Sequence, residues 1–300
     1  MQPNQNIWTS EAVSPAASAG DYVCIRGVRL ELDKLIDATL LEQSAIETLR
    51  ERFLNAQPFE HLVIDDLFNP KLLELIEADF DLLNESRWKL SIDGEHEKTH
   101  RSLPGSKLGP ASELYFGLIN SGWFLNVVST ISGIDNLIAD TTLEGGGLHE
   151  TRNGGMFAIH TDFNKHIHTM LDNELVLITY LNKDWDPTYG GGLELWSAET
   201  KSRVFEIQPI FGRSVLLRHS ARSFHGHPHP LTAPQGRTRR SVASYYYTNR
   251  NPTDLTTERH SSSFLDPGWR RLMKAAAKET TPPIVWNALK SLLHRWGSSA

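Results

Sequence analysis

His160 and Asp162 stand two positions apart in a run, Met156 to Asp162, that reads as extended chain. Side chains at i and i+2 of a strand share a face, so this spacing sets an imidazole beside a carboxylate, a two-point grip for a divalent metal. A third ligand must come from farther along. The segment Ser223 to Pro228 offers His225, with His227, His219 and His229 as competitors close by. Two imidazoles and one carboxylate can occupy one face of a six-coordinate iron and leave the other face for substrate and O2. A lone His-x-Asp recurs by chance, so the pair gains force only from the segments downstream of it.

What must position these residues is a set of strands. From Leu137 onward the apolar runs are short and separated by Gly- or Pro-containing turns: 137–142, 148–152, 156–162, 174–181, 193–196, 203–207, 214–219 and 240–248. Strands this closely spaced indicate a sandwich or barrel. Upstream, Leu35 to Leu54 has helical spacing, Phe59 to Asp65 reads as a strand, and Asn69-Pro70 opens a helix with a capping residue and proline in its first turn. Residues 84–110, charged and rich in Gly and Pro, predict a solvated loop, with a substrate loop as the functional alternative. Ser112 to Ser132 reads as two helices broken near Ser121-Gly122. After Pro252 two more helices are predicted, 269–278 and 284–296, the last with one apolar stripe that includes Leu289 and Trp296.

Charge and cysteine usage narrow the class. Thirty basic against 36 acidic residues give a net charge of −6, which offers nothing to nucleic acid or an anionic membrane. Cys24 is the one cysteine, so no intramolecular disulfide can form and a reducing compartment is expected. Residues 1–20 are small and polar, a flexible lead without the basic-then-apolar pattern of a signal peptide. No apolar stretch is long enough to span a membrane. A cytoplasmic protein is the expectation. The glycine clusters 145–147, 154–155 and 190–192 lack the spacing of phosphate loops and suit turns or bulges.

The order of segments adds the missing context. Leu175 to Asn182 leads into Lys183-Asp184-Trp185, then Gly190 to Trp196, then Ser214 to His219, the second histidine cluster, and Arg239-Arg240 running on to Tyr247. From about residue 153 to 249 this run resembles the prolyl-4-hydroxylase-like branch of the Fe(II)/2-oxoglutarate-dependent dioxygenases. Tyr180 to Trp185 looks especially like the matching strand of the oxygen-sensing prolyl hydroxylases. The resemblance implies an α+β fold with a double-stranded β-helix (jelly-roll) core at about 137–250. N-terminal helices and a C-terminal helical extension would pack on it as a single oxygenase domain, 21–300.

Site residues are implied by the same resemblance. His160, Asp162 and His225 match the iron ligands. Arg240 matches the residue that pairs with the far carboxylate of 2-oxoglutarate, Tyr180 a hydroxyl donor to it, and Ser244 a hydroxyl facing the cosubstrate. By alternation Arg240, Val242, Ser244 and Tyr246 share one face. Arg239 points the other way and competes with Arg240, because only one of them can face the metal. The implied cofactors are Fe(II), 2-oxoglutarate as cosubstrate and O2, with ascorbate as reductant. The implied reaction is hydroxylation of an aliphatic C–H coupled to oxidative decarboxylation of 2-oxoglutarate. A carboxylate at 162 speaks against a halogenase of this fold. Two other classes stay open: a cupin-like metal-binding isomerase without redox chemistry, and a non-catalytic binding protein of the same fold. The substrate is open too: an amino acid, a peptidyl residue or a natural-product scaffold.

Overall fold

The computed structural model describes residues 20–83, 88–91, 96–249 and 258–265. The expected N-terminal lead, Gly20 apart, and the two C-terminal helices fall outside these residues. The chain divides after Ser263 into a large unit and a short C-terminal one, and every element below belongs to the first.

A hairpin, β1 (Tyr22–Ile25) and β2 (Val28–Glu31), precedes α1 (Gln43–Leu54), which buries Ile46, Leu49 and Phe53. The predicted helix over 35–54 begins later than its apolar spacing suggests, because Leu32–Lys34 and Ala38–Leu41 form short 3-10 turns instead. Next come β3 (His61–Ile64) and α2 (Pro70–Asp79), whose start is the one the sequence announces. The Asn69 side chain accepts from the Lys71 amide at 2.9 Å, and Pro70 occupies the first turn, where a missing N–H costs nothing.

A strand pair, β4 (Trp88–Ser91) and β5 (His96–Ser102), lies where a loop is predicted. β5 contains no apolar residue, so period-two alternation cannot reveal it; backbone pairing to a neighbouring strand holds it in place. After it, α3 (Pro110–Ile119) and α4 (Gly122–Ser132) are separated at Ser121, which caps α4 by accepting from the Phe124 amide.

The remaining chain is antiparallel sheet. In order it forms β6 (Ile138–Ala139), β7 (Gly147–Thr161), β8 (Asp172–Tyr180), β9 (Leu193–Trp196) and β10 (Arg203–Ile207). β11 (Ser214–Arg218), β12 (Phe224–His227) and β13 (Arg239–Thr248) complete it. The spatial order is β3-β11-β8-β13-β7-β12-β9-β10, with β5 added along β7. The strands at Leu175 and Ser214 are antiparallel neighbours, as a jelly roll requires.

β7 is the hinge of this architecture. Sequence spacing predicts two strands over 148–162, whereas the structure makes one strand of 15 residues. Its first part, Gly147 to Thr151, pairs with β13; its later part, Phe157 to His160, pairs with β12. One strand thus passes from one layer of the curled sheet to the other and delivers His160 to the second.

Two cores sit on the two faces. Leu148, Leu175, Leu177, Leu216, Val242 and Tyr246 pack beneath the helices with Leu72, Ile76, Tyr115 and Phe124. Inside the roll, Val176, Tyr180, Leu195, Val215, Leu217, Ala243, Tyr245 and Tyr247 form a second cluster. Central strands apolar on both faces lack the polar–apolar alternation that would say which face is which.

Candidate metal centre and cosubstrate pocket

His225 on β12 lies directly opposite His160 on β7. Directly opposed residues of an antiparallel pair project to the same face, so two imidazoles meet there, with ring centres 4.6 Å apart. Asp162 completes the group from the end of β7: its Oδ1 is 3.4 Å from His160 Nε2 and its Oδ2 is 3.6 Å from His225 Nε2. One ligand atom from each residue lies within 4.8 Å of the others, and all three residues are buried. This is a donor set that could hold a divalent metal by one face.

The rings are held in the tautomer a metal requires. His160 Nδ1 donates to the Ala158 carbonyl and His225 Nδ1 to the Ser223 carbonyl, each at 2.9 Å. A carbonyl can only accept, so each Nδ1 carries the hydrogen and each Nε2 lone pair is left facing Asp162. Outer-shell hydrogen bonds of this type fix ring orientation and raise ligand basicity. Burial pushes the His225 imidazole down to about 4, which keeps it neutral near pH 7. Burial alone would raise the Asp162 carboxyl, but in acid, where the facing His225 and His160 rings take up protons, their charge outweighs it and holds the group well below the usual carboxylate range. Tyr245 stands over this carboxylate as a hydrogen-bonding phenol, kept protonated by burial and by the Asp162 charge.

The arginine expected to face this pocket does not. Arg240 leaves β13 toward the helices, where its Nε reaches Glu150 at 3.1 Å and its guanidinium lies 4.9 Å from the Phe80 ring centre. Ser244, on the same face, meets Asn120 Oδ1 at 3.1 Å. Neither side chain points into the roll, and their neighbours Val242 and Tyr246 belong to the helix-side core. The inward face of β13 carries Arg239, Ser241, Ala243 and Tyr245. Arg239 is buried, donates through Nε to the Gly191 carbonyl at 2.7 Å, and reaches the Tyr180 hydroxyl at 3.3 Å. Tyr180 lies where expected, fully buried at the end of β8.

Among the described residues no carboxylate pairs with Arg239. A buried guanidinium without an acid partner is expensive, so the pocket is complementary to an anion. Tyr180 accepts from Arg239, which leaves its own proton for the same anion. The residues present fit a cosubstrate that places a carboxylate here.

The competing histidines and acid fall elsewhere. His229 is exposed and 3.6 Å from Glu194. Glu194 is engaged by Trp196 Nε1 at 2.8 Å and by Arg203 at 3.3 Å. His227 sits edge-on to Phe157, outside the three-residue group. His219 is near enough to Asp162 to act on its charge but lies outside the group as well. Sequence reasoning set Arg239 second, and placed Tyr245 in the pocket only in that second register, with Ser241 and Ala243. No sequence signal fixes the parity of β13, because both of its faces are apolar.

The sequence model of the 2OG-Fe(II) oxygenase superfamily matches residues 146–247, the segment that contains the triad, Tyr180 and Arg239. A search of the curated proteins finds no sequence relative. Among solved structures, the prolyl hydroxylase of Trichoplax adhaerens, in complex with a peptide fragment of the hypoxia inducible factor oxygen degradation domain, is similar at TM-score 0.53. The two are 18% identical, over 75% of this chain and 100% of that one. A Pseudomonas putida prolyl-4-hydroxylase is similar at TM-score 0.49 and 13% identity, covering 68% of this chain and 98% of that one. HygX from Streptomyces hygroscopicus, with nickel, 2-oxoglutarate and hygromycin B bound, has TM-score 0.44 and 14% identity, over 63% and 83% of the two chains. Residues 146–247 thus match the 2OG-Fe(II) oxygenase superfamily, and the fold is similar to that of the Trichoplax adhaerens prolyl hydroxylase.

Proposed function

We propose that the protein couples oxidative decarboxylation of 2-oxoglutarate to hydroxylation of an aliphatic C–H, with His160, Asp162 and His225 as the iron ligands. The observation that carries this reading is the buried Arg239–Tyr180 pair on the face that also bears the triad. A cupin-like isomerase has no need of an unpaired buried guanidinium; a keto diacid does. Fe(II) with 2-oxoglutarate and O2 supplies the oxidising chemistry when bound, and ascorbate is the reductant this reading adds.

The chain's own residues have definite tasks. The Arg239 fork and the Tyr180 hydroxyl hold the far carboxylate, a planar match that a point-charge ammonium makes less well. The Ala158 and Ser223 carbonyls keep both imidazoles in their ligating tautomer. Tyr245 holds the orientation of Asp162 through its hydroxyl hydrogen. The apolar walls from Val176, Leu195, Leu217 and Ala243 keep water from the pocket. The substrate is a small molecule or a peptidyl residue.

The test is succinate release from 2-oxoglutarate with and without Fe(II), across free amino acids, prolyl peptides and natural-product scaffolds. Iron-dependent release stimulated by one class is the expected result. No release with any class, together with no 2-oxoglutarate binding to the metal-loaded protein, would defeat the reading.

A further inference from the structure

A second guanidinium faces the roll. Arg101 on β5 lies opposite His149 on β7, and His149 lies opposite Ser241 on β13, which lies opposite Tyr180 on β8. Opposed residues of antiparallel strands share a face, so these four side chains form one row across the inner surface. On the outer face the neighbouring Ser102 bonds the Leu148 amide, which fixes the parity of β5 independently.

Arg101 and His149 both carry a buried polar atom without a hydrogen-bond partner: Nε of Arg101 and Nε2 of His149. No carboxylate among the described residues pairs with Arg101. Its charge reaches the Tyr245 phenol, which itself bonds Asp162. His149 engages the Gly145–Gly146 backbone through its ring, leaving Nε2 as an acceptor. One N–H donor carrying charge and one bare acceptor, both dry, are a matched pair of demands. Such groups are almost always satisfied in folded proteins. The Arg239–Tyr180 pair already accounts for the far carboxylate of the cosubstrate, two strands away on β13.

We propose that Arg101 and His149 form a substrate subsite for an acidic group, a carboxylate with an N–H or O–H donor beside it. The inference rests on the oxygenase reading and narrows it: the oxidised substrate is an acid, held by its carboxylate on β5 while its C–H lies at the metal. A free acid or a chain-terminal carboxylate meets this demand, and an internal peptide segment without an acidic side chain does not.

The experiment uses protein loaded with Mn(II) and 2-oxoglutarate, so that Arg239 is occupied, and titrates N-acetylglycine and N-acetylglycinamide by calorimetry. The acid should bind more tightly than the amide. Arg101→Gln should weaken the acid by ~30-fold, the loss expected when one partner of a desolvated charge pair is removed, and leave the amide unchanged. Arg101→Lys, which keeps charge and stem, should restore part of the affinity and shows that the strand still folds. The Kd of 2-oxoglutarate should be the same in all three proteins. An acid–amide preference that survives in Arg101→Gln, or no preference in the wild type, overturns the proposal. So does weaker 2-oxoglutarate binding in Arg101→Gln, which would assign Arg101 to the cosubstrate. A wild type that fails to bind 2-oxoglutarate would defeat the oxygenase reading instead, and the acid–amide comparison would still decide on Arg101.

Discussion

The Arg239 guanidinium lies within 3.3 Å of the Tyr180 hydroxyl, inside the roll and with no acid among the described residues to pair with. Arg239→Ala should therefore raise the 2-oxoglutarate requirement by ~30-fold to several thousand-fold, the range for truncating one side of a buried, hydrogen-bonded charge pair. Arg239→Lys should recover part of this, because it keeps the charge and gives up the fork. Titration of 2-oxoglutarate into the Mn(II)-loaded variants measures both.

Arg240→Ala is the opposite case. Its partner Glu150 is buried but retains Arg152 at 2.9 Å. The variant should lose about 1–3 kcal/mol of stability, the cost of a group left under-satisfied, with little change in 2-oxoglutarate affinity. Ser244→Ala should behave likewise on a smaller scale, about 1 kcal/mol for its bond to Asn120. Urea unfolding beside cosubstrate titration separates the two effects; a large cosubstrate effect in either variant would contradict the face assignment.

How much of this was legible in the sequence depends on the strand. His160 and Asp162 are neighbours in sequence with a period-two spacing, so a rule about strands suffices to pair them. His225 was singled out from His219, His227 and His229 by the family resemblance and not by spacing. On β13 the period-two rule failed, since Val242 and Tyr246 are apolar toward the helices while Ala243 and Tyr245 are apolar toward the roll, and Leu177 and Val176 divide in the same way on neighbouring β8. With both faces buried, hydrophobicity carries no parity, and a one-residue shift exchanges every side chain. β5 was hidden for the converse reason: its side chains are all polar, and only its backbone pairing makes it a strand.

Asp162→Ala should abolish tight metal binding and leave the fold. The carboxylate is buried, yet its neighbours are the two ligand rings and Tyr245 rather than packed methyl groups, so little apolar contact is lost. Loss of one of three ligands, read as Mn(II) affinity alongside an unchanged unfolding midpoint, is the expected pair of results. Tight binding that persists would mean that a different acid holds the metal.

Stability of the metal-free protein should fall on acidification through a defined window. His149 and His225 are each pushed down to about 4 by burial, whereas in the unfolded chain they titrate at the ordinary value of about 6.5. Above that value both states hold them neutral. Between about 6.5 and 4 the unfolded chain takes up protons that the folded one refuses, so unfolding becomes easier as pH falls. Below about 4 the folded rings also protonate and the loss levels off. Each ring contributes on the order of 3 kcal/mol across the window. His149→Gln removes one of them without touching the ligands. Urea midpoints of the variant should accordingly vary less between pH 8 and 5 than those of the wild type; equal slopes would show that His149 titrates normally.

Gly226 tests the β7–β12 contact on which the metal centre depends. A Cβ at this position would lie 2.7 Å from the Ala158 carbonyl oxygen and 2.9 Å from that of Phe157. Both are backbone atoms and cannot rotate away. The Ala158 carbonyl is also the acceptor that orients His160, so a methyl group here would push directly on that hydrogen bond and lift His225 from its place opposite. Overpacking of this kind costs about 1–3 kcal/mol, and disturbing an orienting partner of a ligand typically lowers metal affinity by about 10–100-fold. Gly226→Ala should therefore bind Mn(II) far less tightly while its stability falls only moderately. Gly117→Ala is the matched control: it sits within α3, a Cβ there meets nothing within 4 Å, and replacing a helical glycine stabilises by roughly 0.5–1 kcal/mol. If the two variants bound Mn(II) alike, β12 would not be held against β7 closely enough for His160 and His225 to share one ion.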